Sequence, residues 1–164
     1  MISKQQLIDM IPLASDWVEE QEQFILANGI PLSEKQLYIA NKIGIKNATK
    51  VRLLKVNFIP EPTSSDLNAA SKSIGLISKS TLGISFQYGI YIQKDYWENE
   101  RLVLHELTHT LQYERLGGIS NFLTQYIKEC IYFGYDKSKL EIEARIMETR
   151  LEDFLNQYLM QENQ

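Results

Sequence analysis

Apolar positions early in the chain recur at helical spacing. Leu7, Ile8, Ile11, Trp17, Val18, Phe24 and Ile25 predict one helix over residues 4–27. Asn28-Gly29, followed by Pro31, ends it, since Pro has no N–H to give to a helical carbonyl. Ser33 with Gln36 three positions later predicts a capping box, opening a second helix to about Lys42 that Gly44 closes. The pattern then changes. Val51 to Ile59 is rich in β-branched and aliphatic residues and stops at Pro60-Glu61-Pro62, which reads as a strand and a turn. Ser65 or Asp66 caps a short helix to about Ile74. Thr81 to Gln93 is apolar and aromatic, and its two glycines, Gly83 and Gly89, suit one or two strands with a bend. Asp95 or Asn99 starts a helix to about Leu116, stopped by Gly117-Gly118; helices over 120–133 and 138–160 follow, separated at Gly134.

The predicted order is N-terminal helices, a small central sheet, an active-site helix and C-terminal helices. That is an α+β fold. A length of 164 residues fits a single domain, 1–164. At 44% hydrophobic and 23% charged, the chain has material for a core without covalent staples. The net charge of -4, with Lys and Arg dispersed, argues against nucleic acid as partner. The lone Cys130 forms no internal disulfide, which fits a reducing compartment. Residues 1–10 contain no signal-peptide core, and no run approaches the roughly 20 apolar residues of a membrane span. The expectation is a cytoplasmic protein without a transmembrane segment, with signal-independent export left open.

The chemistry lies in His105-Glu106-Leu107-Thr108-His109, which uses both histidines of the chain. On a helix, residues four apart stand one turn above each other, so both imidazoles face one point. Their nitrogens can then reach one Zn2+ at about 2.0–2.1 Å. Glu106, beside them, can take a proton from a bound water and act as the catalytic base. The flanks Leu102, Val103, Leu104, Leu107 and Leu111 carry no helix breaker and no charge, so the helix is expected to be buried. A third ligand is needed. A further histidine is excluded, because positions 112 and 115 hold Gln and Arg. Glu141 and Glu143, flanking Ile142 and followed by Ala144, are the strongest candidates downstream. Glu114 lies on another face of the motif helix, and an isolated cysteine such as Cys130 is more often a small buried hydrophobe.

The histidine motif followed by a glutamate helix resembles the gluzincin metallopeptidases. A longer run, His-Glu-Leu-Thr-His-Thr-Leu-Gln-Tyr-Glu-Arg-Leu-Gly-Gly-Ile with the later Leu-Glu-x-Glu-Ala, is similar to a group of bacterial zinc-peptidase-like proteins. The resemblance covers about residues 40–150. It implies a minimal zincin-like domain, peptide or protein substrates, and Glu141, aligned by Ala144, as the ligand, with Glu143 its neighbour. It also implies an acidic residue after the alanine that orients a ligand histidine. Arg145 stands there instead and cannot accept that bond, so Glu148, Glu143 or a carbonyl must serve. Tyr113, Tyr126, Tyr132 and Tyr135 are candidate donors to a tetrahedral oxyanion, and Gly83 to Ile92 is a candidate sheet edge for substrate. The alternative is a non-catalytic zinc-containing module of the same fold that binds peptide or protein.

Overall fold

The computed structural model describes residues 1–164. Helix α1 spans Lys4–Asp9 and α2 spans Ile11–Asn28, so the single helix expected over 4–27 is broken at Met10. Pro12 is the cause. It offers no N–H to the Ile8 carbonyl, and in a continuous helix its ring would press on that carbonyl. A two-residue strand, β1 (Ile30–Pro31), follows where no element was expected. Helix α3 (Glu34–Ile43) carries the predicted capping box: Gln36 N donates to Ser33 Oγ at 3.1 Å, and Ser33 N to Gln36 Oε1 at 2.9 Å. Strand β2 covers Arg52–Val56, and α4 covers Ser65–Ser73, capped by Ser64 rather than by Ser65 or Asp66.

The glycine-containing apolar segment forms two strands, β3 (Gly83–Phe86) and β4 (Gly89–Gln93). Helix α5 (Glu100–Leu116) starts at Asn99, whose side chain accepts from Leu102 N, and ends where Gly117 takes a left-handed φ of 94°. Helix α6 spans Ile119–Phe133. The helix expected over 138–160 is in fact two, α7 (Lys139–Glu148) and α8 (Leu151–Glu162). Neither Gly nor Pro marks that break. Packing explains it: Leu151 and Phe154 of α8 join Ile39 and Leu104 in a small apolar cluster, which draws α8 onto α3 and α5.

The architecture is α+β. The sheet order is β1-β2-β4-β3, with β2 and β4 parallel and the outer pairs antiparallel. Pro31 is tolerated because β1 is an edge. Side chains alternate across the sheet. Leu53, Ile90 and Ile92 pack with Val103 and Leu107 of α5 on one face. Tyr91, Ile84 and Phe86 face the other side, in a cluster with α2 and α6. Ile25, Ile90 and Ile92 are wholly removed from solvent, each contributing roughly 1.5–3 kcal/mol of transfer free energy. This sandwich fixes α5 between the sheet and α7. No helix is long and apolar enough to cross a membrane.

Candidate metal centre

The apolar side of α5 locks its rotation. Val103, Leu104 and Leu107 are buried against the sheet and α3, which leaves His105 and His109 turned toward α7. The two imidazole centroids are 4.9 Å apart, and their Nε2 atoms are separated by 3.1 Å. Helix α7 brings Glu141 to the same point. Glu141 Oε2 is 3.2 Å from His105 Nε2, and Oε1 is 3.2 Å from His109 Nε2. Ala144, wholly buried one turn later, keeps that face of α7 small.

The outer ring nitrogens define the tautomers. His105 Nδ1 lies 2.6 Å from Glu148 Oε1, and His109 Nδ1 lies 2.7 Å from Gln112 Oε1. Gln112 Nε2 donates to Leu140 O and to Glu143 Oε1, so its oxygen is the group left for His109. Both Nδ1 atoms therefore donate, and both neutral imidazoles present an Nε2 lone pair to the space shared with Glu141. Lone pairs 3.1 Å apart repel unless a cation stands between them, either a proton or a metal ion.

The donor set suits a metal. Two imidazole nitrogens and a carboxylate are a known combination for zinc, and ligands about 2.0–2.1 Å from a tetrahedral ion stand roughly 3.3–3.4 Å apart. The three observed separations, 3.1, 3.2 and 3.2 Å, approach that value. Glu141 is 2% exposed, and its Oε2 has no hydrogen-bond partner of acceptable geometry although His105 is near. An orphaned buried carboxylate oxygen is costly, and a cation relieves it. His105, His109 and Glu141 thus form a group that can hold a metal ion.

Electrostatics agree with a cation-seeking centre. A proton can take the cation's part: burial opposes charge on His105, yet the adjacent Glu141 and the Glu106 charge outweigh it and raise the imidazole to about 9. His109 moves upward through the same balance. Glu141 resists burial, and the two histidines beside it hold its carboxyl well below the usual carboxylate range.

Glu106, 4% exposed, accepts no hydrogen bond and faces the same cavity as Glu141. Burial raises its pKa, while the nearby histidines lower it. The start of β3 lies against it: a Cβ on Gly83 would stand 3.2 Å from Glu106 Cγ and Oε1. A side chain at position 83 would therefore press on this carboxylate.

The remaining candidates separate cleanly. Glu143 turns away from the histidines and bonds Gln112 and Arg115. Glu114 accepts from Lys46 N, Asn47 N and the Tyr88 hydroxyl, and so anchors the loop after α3. Cys130 sits in the apolar core, its thiol pushed up to about 12 by burial. Arg145 donates to the Asp136 carbonyl instead of meeting a histidine, and Glu148, one turn on, takes up His105. Among the tyrosines, Tyr113 bonds Ser85 O, Tyr132 is exposed under Lys4, and Tyr126 donates to Glu141 Oε1 at 2.6 Å. Tyr135 alone lines the cavity with a hydroxyl that bonds no protein group. Sequence reasoning missed Gln112 as the partner of His109. Its position, three residues on along the same helix face, was the available signal.

The chain matches no protein-family model, no curated protein and no solved structure.

Proposed function

We propose that the protein is a zinc-dependent metallopeptidase of the gluzincin type, acting on peptide or protein substrates in the cytoplasm. The observation that supports this most is the meeting of His105, His109 and Glu141 beside Glu106, a buried carboxylate that accepts no hydrogen bond. When bound, zinc supplies Lewis acidity, which polarises a carbonyl and acidifies water.

The chain's own residues do the rest. Glu148 and Gln112 hold the two imidazoles in the ligating tautomer. Tyr126 fixes the Glu141 carboxylate. Glu106, with its pKa raised by burial, accepts a proton from water and returns it to the leaving amine. The free hydroxyl of Tyr135 donates to the oxyanion that develops on the substrate carbonyl. Strand β3 ends the sheet beside Glu106, which suits it to align an extended segment.

Glu106→Gln tests the reading. The variant is expected to bind one zinc per chain, by elemental analysis, and to lose peptidase activity by about 100-fold or more. Full activity with zinc bound would sink the proposed role. X-ray absorption showing four protein donors and no water would favour the non-catalytic peptide-binding module.

A further inference from the structure

The cavity beside Glu106 and Glu141 runs on from the metal cluster into the apolar interior between α1, α2, α4 and α6. It holds 930 Å³ of empty space, part of it open to solvent, and 18 of its 27 lining residues are hydrophobic. Leu7, Trp17, Val18, Leu67 and Ile77 are among its apolar lining residues, and Phe122 lies against His109. We propose that this cavity receives a linear aliphatic chain, so that the substrate is an acyl amide whose hydrocarbon fills the interior while its scissile carbonyl stands at the histidine cluster. This rests on the hydrolytic reading above and names the substrate class for the same site.

Size argues first. A buried side chain touches about 6–12 residues, and this cavity has 27 around it, more than one side chain of a peptide would meet. Polarity argues second. The lining hydroxyls of Ser71, Ser85, Tyr113 and Tyr126 each donate within the protein, to Asn68 O, Gln87 O, Ser85 O and Glu141 respectively. A peptide main chain entering the cavity would leave its amides without partners, each costing roughly 1–3 kcal/mol. A hydrocarbon makes no such demand.

Polar distribution argues third. Every charge-bearing side chain of the lining, His105, Glu106, His109 and Glu141, stands at one end of the cavity, where a carbonyl and a leaving nitrogen need them. The reaction is a simple hydrolysis. Water oxygen bonds to the acyl carbon and the carbon–nitrogen bond breaks. The nitrogen leaves as an amine carrying the proton that Glu106 took from water, and the second water proton passes from the new carboxylic acid to that amine, leaving a fatty carboxylate and an ammonium.

The test is the affinity of linear alkyl hydroxamates, from acetyl to dodecanoyl, measured by calorimetry on zinc-loaded and on metal-free protein. The expected result is a rise of about fourfold per added methylene over several methylenes in both forms, with a constant further gain from zinc. A rise with chain length but no gain from zinc supports the aliphatic site and defeats the zinc reading. A gain from zinc with no rise beyond butanoyl overturns the aliphatic site and leaves the zinc reading standing. Flat affinity in both forms also overturns it, as does tighter binding of a leucyl-peptide hydroxamate than of the dodecanoyl one.

Ala70→Phe and Ala14→Leu both add bulk at lining positions. Either is expected to weaken the dodecanoyl ligand at least tenfold and leave the acetyl ligand unchanged. Should Ala70→Phe fail to fold, Ala14→Leu and the chain-length series on the unaltered protein still decide.

Discussion

Glu129 on α6 and Glu141 on α7 are both buried, at 8% and 2% exposure, but their surroundings differ in kind. Glu129 accepts from Ser138 Oγ at 2.9 Å, Leu140 N at 3.1 Å and Gln125 Nε2 at 3.1 Å. Two of those donors lie at the first turn of α7, so Glu129 caps that helix and fixes where it starts. Glu141, in the first turn of the same helix, has Tyr126 on one oxygen and nothing on the other, and both oxygens face imidazole lone pairs. The contrast separates two uses of a buried charge. A carboxylate whose acceptors are filled by fixed donors builds the fold. One left partly unfilled among other lone pairs is arranged for a cation.

The largest expected effect is on Glu141. In Glu141→Ala, zinc should fall from one per chain to under about one-tenth, by elemental analysis after dialysis, because two histidines alone leave the ion short of a protein ligand. A full zinc equivalent in that variant would erase the distinction from Glu129. Next comes Glu129→Ala, which leaves the buried donors of Ser138 and Leu140 unpaired. Urea unfolding should show a loss of about 3 kcal/mol, with the zinc stoichiometry kept. Zinc loss without a stability change would reverse the two roles.

Smaller effects lie one bond out. Gln112→Leu and Glu148→Ala each remove an acceptor from a ligand histidine and should weaken zinc about 10–100-fold in chelator competition. Unchanged affinity would show that the outer bonds do not orient the rings. The smallest effect belongs to Glu22, another buried carboxylate, which accepts from Tyr88 N and Gln87 Nε2 at the β3–β4 turn. Burial raises its pKa in spite of those bonds. A raised folded-state value means its contribution is complete below about pH 4.3 and is lost as pH rises through the folded value. Glu22→Gln keeps an acceptor for Tyr88 without the charge. It should flatten that pH dependence and raise Tm at neutral pH by no more than about 2–4 °C. A lower Tm at pH 7 would mean the charge itself holds the turn.

Much of the histidine face was legible because helical periodicity is local. His105 and His109 had to share a face once 100–116 formed a helix, and Asn99 and Gly117 set its limits as their chemistry requires. The capping box at Ser33 is equally local. What escaped depends on distant contacts. The turn at Thr149–Arg150 carries no breaker, and it exists because Leu151 and Phe154 find Ile39 and Leu104. The parallel pairing of β2 with β4 joins residues across an intervening helix and strand, which no periodicity reports. The residue pattern alone left Glu143 open beside Glu141, and only the resemblance, aligned by Ala144, preferred Glu141. The geometry parts them through the rotation of α7, with Glu141 facing the histidines and Glu143 facing Arg115. Gln112 looked like a departure from a longer histidine motif, yet it bridges α5 and α7 by bonding His109 and Leu140 O.

The three converging side chains also have a topological meaning. His109 and Glu141 lie 32 positions apart (141 − 109), on helices joined through α6, so an ion held by both ties off a loop much as a disulfide does. A covalent cross-link over that length removes roughly 3–4 kcal/mol of chain entropy from the unfolded state. With its only cysteine buried and single, this chain has no covalent way to make such a link. An ion held by these three residues would therefore fasten the histidine helix to the C-terminal helices.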